Sequence, residues 1–214
     1  MAAKGHHYSR AAAGLRAELG RVLSRAELRE LHRKEPRRHL LVAARQFAIL
    51  GLTGWGLVAV SHPAIWVPLA VVQGFTVFNF TVLLHEVVHH AVFAGRQPRF
   101  ERWLGWLYAV PSGISAAQFT RWHLDHHAEL GSPDDDPKRH HLSPAINARW
   151  YKALYATPAL FFIYFRAARR EAATYPPALR SRIAGERRIA ILFHLAVLAG
   201  FGWFGGPAVA IRAY

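Results

Sequence analysis

The sequence predicts an all-α integral membrane protein with about three spanning helices and additional interfacial helices. Two observations lead to this fold class. Between Arg45 and Arg96 the only formally charged side chain is that of Glu86, although the whole chain has a formal net charge of +14. In addition, three apolar runs approach the roughly 20 residues that a membrane-spanning helix needs. A soluble basic domain would not leave so long a stretch uncharged, so we expect these runs to lie in lipid.

Turn-forming residues bound the three predicted spans. Pro63 separates the first span from the second, because proline cannot continue a preceding helix. The Gly-Gly-Pro sequence at residues 205–207 predicts the exit turn of the third span. The predicted spans are residues 40–60, 64–84 and 189–211.

Shorter helices are predicted outside the spans. Ser24 and Glu27 have the spacing of a capping box, which predicts a helix that begins at Arg25. The apolar stretches 104–120 and 153–165 are interrupted or too short to cross a bilayer. We expect them to form interfacial helices, with their tryptophan and tyrosine side chains at the depth of the lipid headgroups.

The positive charge is concentrated near the N-terminus and after the second span. Residues 10–45 carry nine arginines and one lysine, whereas the short break at residues 61–63 carries no formal charge. The positive-inside rule therefore places the N-terminus and both histidine-rich segments described below on the cytoplasmic side of a multi-pass protein. We expect residues 1–39 to form a basic cytoplasmic arm and residues 40–214 to form the membrane domain.

Composition excludes several kinds of partner and site. The basic segments contain no helix-turn-helix, zinc-finger or RNA-binding signature, so we expect no nucleic-acid partner. The chain has no cysteine, which excludes a disulfide framework, thiolate zinc sites and iron–sulfur clusters. Any bound metal must therefore be held by histidine, carboxylate or water.

Six of the fourteen histidines lie in two tight clusters, at residues 85–90 (HEVVHH) and 123–127 (HLDHH). Residues three or four positions apart share one face of a helix, so each cluster presents its imidazoles together. Neutral imidazoles that converge from two helices suit iron, zinc or copper. The candidate metal ligands are His85, His89, His90, His123, His126 and His127.

The first cluster also matches the HExxH pattern of zinc metalloproteases. In that interpretation His85 and His89 bind zinc, and Glu86 is the general base. A membrane zinc metalloprotease would leave the second histidine cluster without a role. A solvated helix end with unrelated histidines is a third interpretation.

Taken together, the clusters resemble the histidine boxes of the membrane fatty acid desaturase superfamily, whose pattern is HxxxH, then HxxHH, then a late H/QxxHH. His85 and His89 match the first box, with His90 as an additional histidine. The second box is matched by His123, His126 and His127. Residues 131–137 (GSPDDDP) resemble the acidic turn that often follows this box. Their aspartates could also hydrogen-bond ligand imidazoles, but we expect them to be solvated.

The resemblance implies an oxidoreductase: a membrane-bound, oxygen-dependent desaturase that introduces a double bond into the acyl chain of a lipid. It implies two iron ions held by the six box histidines and dioxygen as co-substrate. Glu86 and Asp125 are then expected to hydrogen-bond ligand imidazoles. No fused haem domain is visible in the sequence, so the electron donor would be a separate ferredoxin, cytochrome or reductase. The boxes do not distinguish a desaturase from a membrane di-iron hydroxylase of lipid, alkane or carotenoid.

The third box of this pattern is missing. No H/QxxHH sequence occurs between His127 and Tyr214. We expect the chain to be a truncated, inactive fragment whose full version continues through a fourth span and a last box. Alternatively, carboxylates or His194 complete an unusual site, although His194 could equally be bonded to a helix carbonyl.

Overall fold

The computed structural model describes residues 7–132, 134–138, 149–157 and 159–213. Within these residues the secondary structure is helical and contains no strand, which confirms the predicted all-α class. Three helical stretches are long and apolar enough to cross a membrane: Arg25–Ala59, Pro63–Val88 and Pro177–Ala213. The predicted number of spans is therefore confirmed.

The chain divides into two compact units. The first comprises Met1–His32 and Ala117–Arg182, and the second comprises Arg33–Ala116 and Ile183–Tyr214. A short 3₁₀ turn at Leu154–Ala156 follows the eighth helix in the first unit. The helices in chain order are α1 His7–Ala11, α2 Ala13–Val22, α3 Arg25–Leu31, α4 Pro36–Ala59, α5 Pro63–Val88, α6 Pro98–Ala109, α7 Ala116–Ala128, α8 Arg149–Ala153, α9 Ala159–Ala173 and α10 Pro177–Ala213.

Helices α4 and α5 form a hairpin in the second unit. Each begins with proline in its first turn, where the missing N–H has no helical partner to lose. His62 caps α5, since its Nδ1 accepts a hydrogen bond from the backbone N–H of Ala64 at 3.3 Å. Gly56 lets the two helices approach closely, because a Cβ atom there would lie 2.9 Å from Cδ1 of Leu69.

Helix α10 bends near its end. Gly206 has φ 78° and ψ 173°, a conformation that interrupts the helix and that only glycine adopts readily. The exit turn predicted at residues 205–207 is therefore a bend, because the helix continues beyond it to Ala213. After the bend, Arg212 donates a hydrogen bond to the Val60 carbonyl at 3.0 Å, and the Gln73 side chain donates to the Ala213 carbonyl at 3.1 Å. The last turn of α10 is thereby attached to the α4–α5 hairpin.

In the first unit, α9 packs on α7. Trp122 lies in a buried cluster with Ala167 and Ala168. The side-chain amide of Gln118 donates to the Ala168 carbonyl at 2.5 Å, so α7 and α9 are held by a polar contact as well as by apolar packing.

The predicted capping box at the start of α3 is confirmed. Ser24 Oγ accepts from the Glu27 backbone at 3.2 Å, and Glu27 Oε2 accepts from the Ser24 backbone at 2.8 Å.

Candidate metal centre

The last turn of α5 carries the first histidine box. The rings of His85 and His89 are adjacent, with centroids 4.6 Å apart in an edge-to-face arrangement. A ring nitrogen of each can lie within 4.8 Å of one on the other. The i,i+4 spacing therefore gives the adjacency that the sequence predicted.

The surroundings of His89 favour its neutral form. Burial lowers its pKa, and the neighbouring His85 and His90 lower it further. A neutral imidazole has a free lone pair, which is the state that binds a metal ion.

Helix α5 stops directly after this pair. The backbone N–H of His90 donates to the Val87 carbonyl at 3.0 Å, and that of Ala91 donates to the Glu86 carbonyl at 2.9 Å. These are the two bonds of a Schellman motif, with His90 at the left-handed position and φ 52°. Among the described residues, His90 is the one non-glycine residue with positive φ.

The side chain of His90 is occupied by protein groups at both ring nitrogens. Its Nδ1 lies 2.8 Å from Oε2 of the buried Glu101, and its Nε2 lies 3.2 Å from Nη2 of Arg96. A guanidinium can only donate, so Nε2 is the acceptor and Nδ1 carries the proton that is donated to Glu101. In addition, Lys34 Nζ donates to the His90 carbonyl at 2.6 Å.

Glu86 contacts a histidine that lies outside both boxes. Its Oε2 lies 2.6 Å from Nδ1 of the buried His39, whose Nε2 lies 3.0 Å from the Tyr108 hydroxyl. Burial, together with the charge of Glu86, raises the pKa of Tyr108 to about 12. Tyr108 therefore stays protonated and donates to His39, which in turn donates to Glu86.

Helix α7 carries the second histidine box. The centroids of His123 and His127 are 4.4 Å apart, and His126 lies 5.6 Å from His127 and 6.5 Å from His123. A ring nitrogen of His123 can lie within 4.8 Å of one on His127. The ring of Phe119 stacks on His123 at 5.4 Å with an interplanar angle of 4°, which fixes the plane of that imidazole.

Asp136 orients His126 from the turn that follows α7. Its Oδ1 lies 2.7 Å from Nδ1 of His126 and also accepts from the Lys138 backbone at 3.0 Å. A carboxylate on Nδ1 fixes the tautomer and leaves Nε2 as the donor atom for a metal. The expectation of a solvated acidic turn is right for Asp134 and Asp135, which are exposed, but wrong for Asp136, which is 2% exposed.

Asp125 pairs with a cation on its own helix. Its Oδ2 accepts from Arg121 Nε at 2.7 Å, an i,i+4 ion pair, and the Arg121 guanidinium lies over the ring of Tyr175. The hydrogen bond that a ligand imidazole is expected to donate to Asp125 remains a prediction.

Of the two possibilities considered for His194, the structure gives the hydrogen bond to a carbonyl. Its Nε2 lies 3.2 Å from the carbonyl oxygen of Val110, at the end of α6. Gly113 also lies close to this imidazole, since an added Cβ there would be 3.5 Å from the same nitrogen.

The donor set fits iron. Each box brings adjacent imidazoles together, and a buried carboxylate orients one of them in the second box. Nitrogen ligands of this kind, oriented by neighbouring carboxylates, are typical of iron and zinc sites.

A comparison with protein families agrees with this donor set. A model described as fatty acid desaturase matches residues 61–214. The chain belongs to the fatty acid desaturase family. The match includes both histidine boxes and the last two candidate spans.

Individual relatives match a shorter segment. Human sphingolipid delta(4)-desaturase DES1 is 36% identical over 59 residues, which is 27% of this chain and 18% of that protein. Its counterpart from Bos taurus is 34% identical over 59 residues, again 27% of this chain and 18% of that protein. Human sphingolipid delta(4)-desaturase/C4-monooxygenase DES2 is 35% identical over 54 residues, 25% of this chain and 17% of that protein. The matched segments thus cover less than a fifth of these relatives. No solved structure matches the chain.

Proposed function

We propose that this chain holds the metal centre of a membrane-bound, oxygen-dependent lipid desaturase, an oxidoreductase that introduces a double bond into an acyl chain. The observation that carries the proposal is the pairing of adjacent imidazoles in each box, in a chain of the fatty acid desaturase family. Bound at these imidazoles, two irons would supply the activation of dioxygen that removal of hydrogen from an unactivated methylene group requires.

We assign the ligand role to five of the six predicted histidines. His90 differs from the others because Glu101 and Arg96 occupy both of its ring nitrogens. We therefore propose that it positions the first box instead of binding metal. The proposed ligands are His85, His89, His123, His126 and His127.

Carboxylates of this chain would orient the ligand imidazoles. Asp136 keeps the proton of His126 on Nδ1, so that Nε2 carries the lone pair that a metal ion binds. The buried relay from Tyr108 through His39 fixes Glu86 beside His85 on α5. These contacts orient side chains before metal binds, which lowers the cost of ordering the site.

The substrate in this proposal is a membrane lipid with a long saturated chain. The relatives that match are sphingolipid desaturases, so a sphingolipid chain is our first candidate. One relative is also described as a C4-monooxygenase, and this keeps hydroxylation as the second candidate. Both reactions begin by removing hydrogen from a methylene carbon, so only the product distinguishes them. We propose that a separate ferredoxin, cytochrome or reductase supplies electrons.

The test is metal content followed by product analysis of the purified full chain, expressed with iron and zinc both present. We expect iron at about two per chain, lost in His126→Ala and kept in His32→Gln, a control outside both boxes. Saturated sphingolipid with dioxygen and an electron donor should then give an unsaturated product, a result that would contradict the inactive fragment expected from the missing third box. One zinc per chain with peptide cleavage that Glu86→Gln abolishes would instead support a metalloprotease and overturn the proposal.

A further inference from the structure

Helix α9 has an exposed face on which aromatic and cationic side chains follow one another along the helix axis. Phe161 and Phe162 are 66% and 79% exposed, and Phe165 is 43% exposed. Arg166 and Arg169 come next and are also exposed. All five side chains line one open cavity of about 330 Å³.

The face cannot turn inward, because the opposite side of α9 is fixed. Ile163, Ala167 and Ala168 are buried, and Ala167 and Ala168 pack against Trp122 of α7. The hydrogen bond from Gln118 to the Ala168 carbonyl adds a directional contact. The aromatic and cationic side chains are therefore presented outward by a helix that is anchored through its other face.

The positive charge of this face is not balanced by acidic side chains within the described residues. Within the described part of the chain, no ion pair joins Arg166 or Arg169 to a carboxylate. The one carboxylate of α9, Glu171, is buried on the other side of the helix. Two adjacent guanidiniums with free donors form a strong site for a phosphate group.

We propose that this face of α9 binds an anionic phospholipid of the surrounding bilayer. With a rise of 1.5 Å per residue, Arg166 lies about 6 Å and Arg169 about 10 Å along the axis from Phe162. The apolar and cationic groups therefore lie within about 10 Å of one another on the same exposed face, close enough for one lipid to contact both. The phenylalanines would pack against the acyl chain, and the arginines would bind the phosphate. The assignment is independent of the proposed desaturase activity.

The test measures lipid binding to the purified full chain in mild detergent. Dioleoyl phosphatidylglycerol and dioleoyl phosphatidylcholine are titrated separately, and bound lipid is counted by native mass spectrometry. We expect preferential binding of phosphatidylglycerol, and a loss of about 10- to 30-fold in its affinity in Arg166→Gln/Arg169→Gln, from roughly fivefold for each cation near an anionic lipid. Binding of phosphatidylcholine should change little.

The matched control is Arg21→Gln/Arg180→Gln, which removes the same charge from exposed positions on α2 and α10. An equal loss in this control would show diffuse attraction by the basic chain and overturn the proposal. Displacement of phosphatidylglycerol by millimolar inorganic phosphate alone would overturn it as well, because the site would then recognise an anion without its acyl chain.

A second variant tests the aromatic half of the site. Phe161→Ala/Phe162→Ala should weaken binding of both lipids, and unchanged binding would contradict an acyl contact. Should a double variant fail to fold, the single variants Arg166→Gln and Arg169→Gln are compared with Arg21→Gln. Each of the first two should weaken phosphatidylglycerol binding by roughly fivefold and the third should not, whereas equal losses in all three would overturn the proposal. None of these measurements requires bound metal or turnover, so they fail or succeed separately from the desaturase proposal.

Discussion

At the scale of single residues, His90 shows how one side chain can end a helix and hold its neighbours. Its backbone closes the Schellman motif, and its ring joins Glu101 to Arg96. A non-glycine residue at positive φ is strained by about 1–2 kcal/mol, so the surrounding contacts must hold it there. The benefit is that α5 stops directly after His89.

The positioning role of His90 predicts a difference between two neighbouring substitutions. His90→Asn should keep the iron content of the protein, because asparagine tolerates the left-handed conformation and no ligand is removed. His89→Ala should lose iron, since a ligand is absent. Metal analysis of the two purified variants measures the difference. Equal loss of iron in both would identify His90 as a ligand.

Asp136 predicts a change in metal affinity that its neighbour does not share. Asp136→Asn removes the charge that orients His126, and loss of such a partner typically weakens metal binding by about 10- to 100-fold. Asp135→Asn is the control, because Asp135 is exposed and lies beside Asp136 in the chain. Dialysis against graded chelator concentrations measures the affinity. A shift of the same size in both variants would show that only the net charge of the turn matters.

The box histidines were predictable from the sequence, whereas most of their partners were not. Helical spacing alone brings His85 to His89 and His123 to His127, because only local geometry is involved. His39 lies 47 positions from Glu86, and no periodicity connects them. Asp136 is one of three adjacent aspartates, and its burial, which the sequence does not reveal, distinguishes it from Asp134 and Asp135.

At the scale of helices, the bend in α10 depends on one glycine. Gly206→Ala should lower the stability of the protein by about 1–3 kcal/mol, since alanine is strained at φ 78° even though nothing lies within 4 Å of the added Cβ. Thermal unfolding in detergent measures the change.

Gly200→Ala is the matched control for this prediction. Gly200 is helical, and its Cβ would also meet nothing within 4 Å. Alanine there should stabilise the helix by about 0.5–1 kcal/mol, so the two variants should differ in sign. A loss of stability in both would show that bulk, and not backbone strain, is what α10 resists.

Proline and glycine predicted some helix boundaries and not others. Pro63 opens α5, as predicted. Gly206 marks a bend at the predicted turn, although α10 continues beyond it. The start of α10 was missed, because the apolar run begins at Ile189 while the helix begins at Pro177. Charged residues extend a helix as readily as apolar ones when its termini lie outside the hydrocarbon region, so hydropathy finds the membrane span and not the whole helix.

At the scale of the whole molecule, the distribution of charge predicts the orientation of the chain in the membrane. Nine arginines and one lysine in residues 10–45 contrast with the uncharged break at residues 61–63. The positive-inside rule then places the N-terminal arm in the cytoplasm and Ser61 on the far side. We propose this topology for the protein, with the histidine boxes on the cytoplasmic side.

This topology can be tested by cysteine labelling. Because the chain has no cysteine, a single introduced thiol is the only one that a labelling reagent can modify. Ala17→Cys and Ser61→Cys each introduce one thiol at an exposed position, on α2 and in the break before α5. A membrane-impermeant maleimide applied to intact cells should label Cys at position 61 and not at position 17, whereas both should be labelled after lysis. Labelling of position 17 alone in intact cells would indicate the opposite topology. The histidine boxes would then face away from cytoplasmic electron donors.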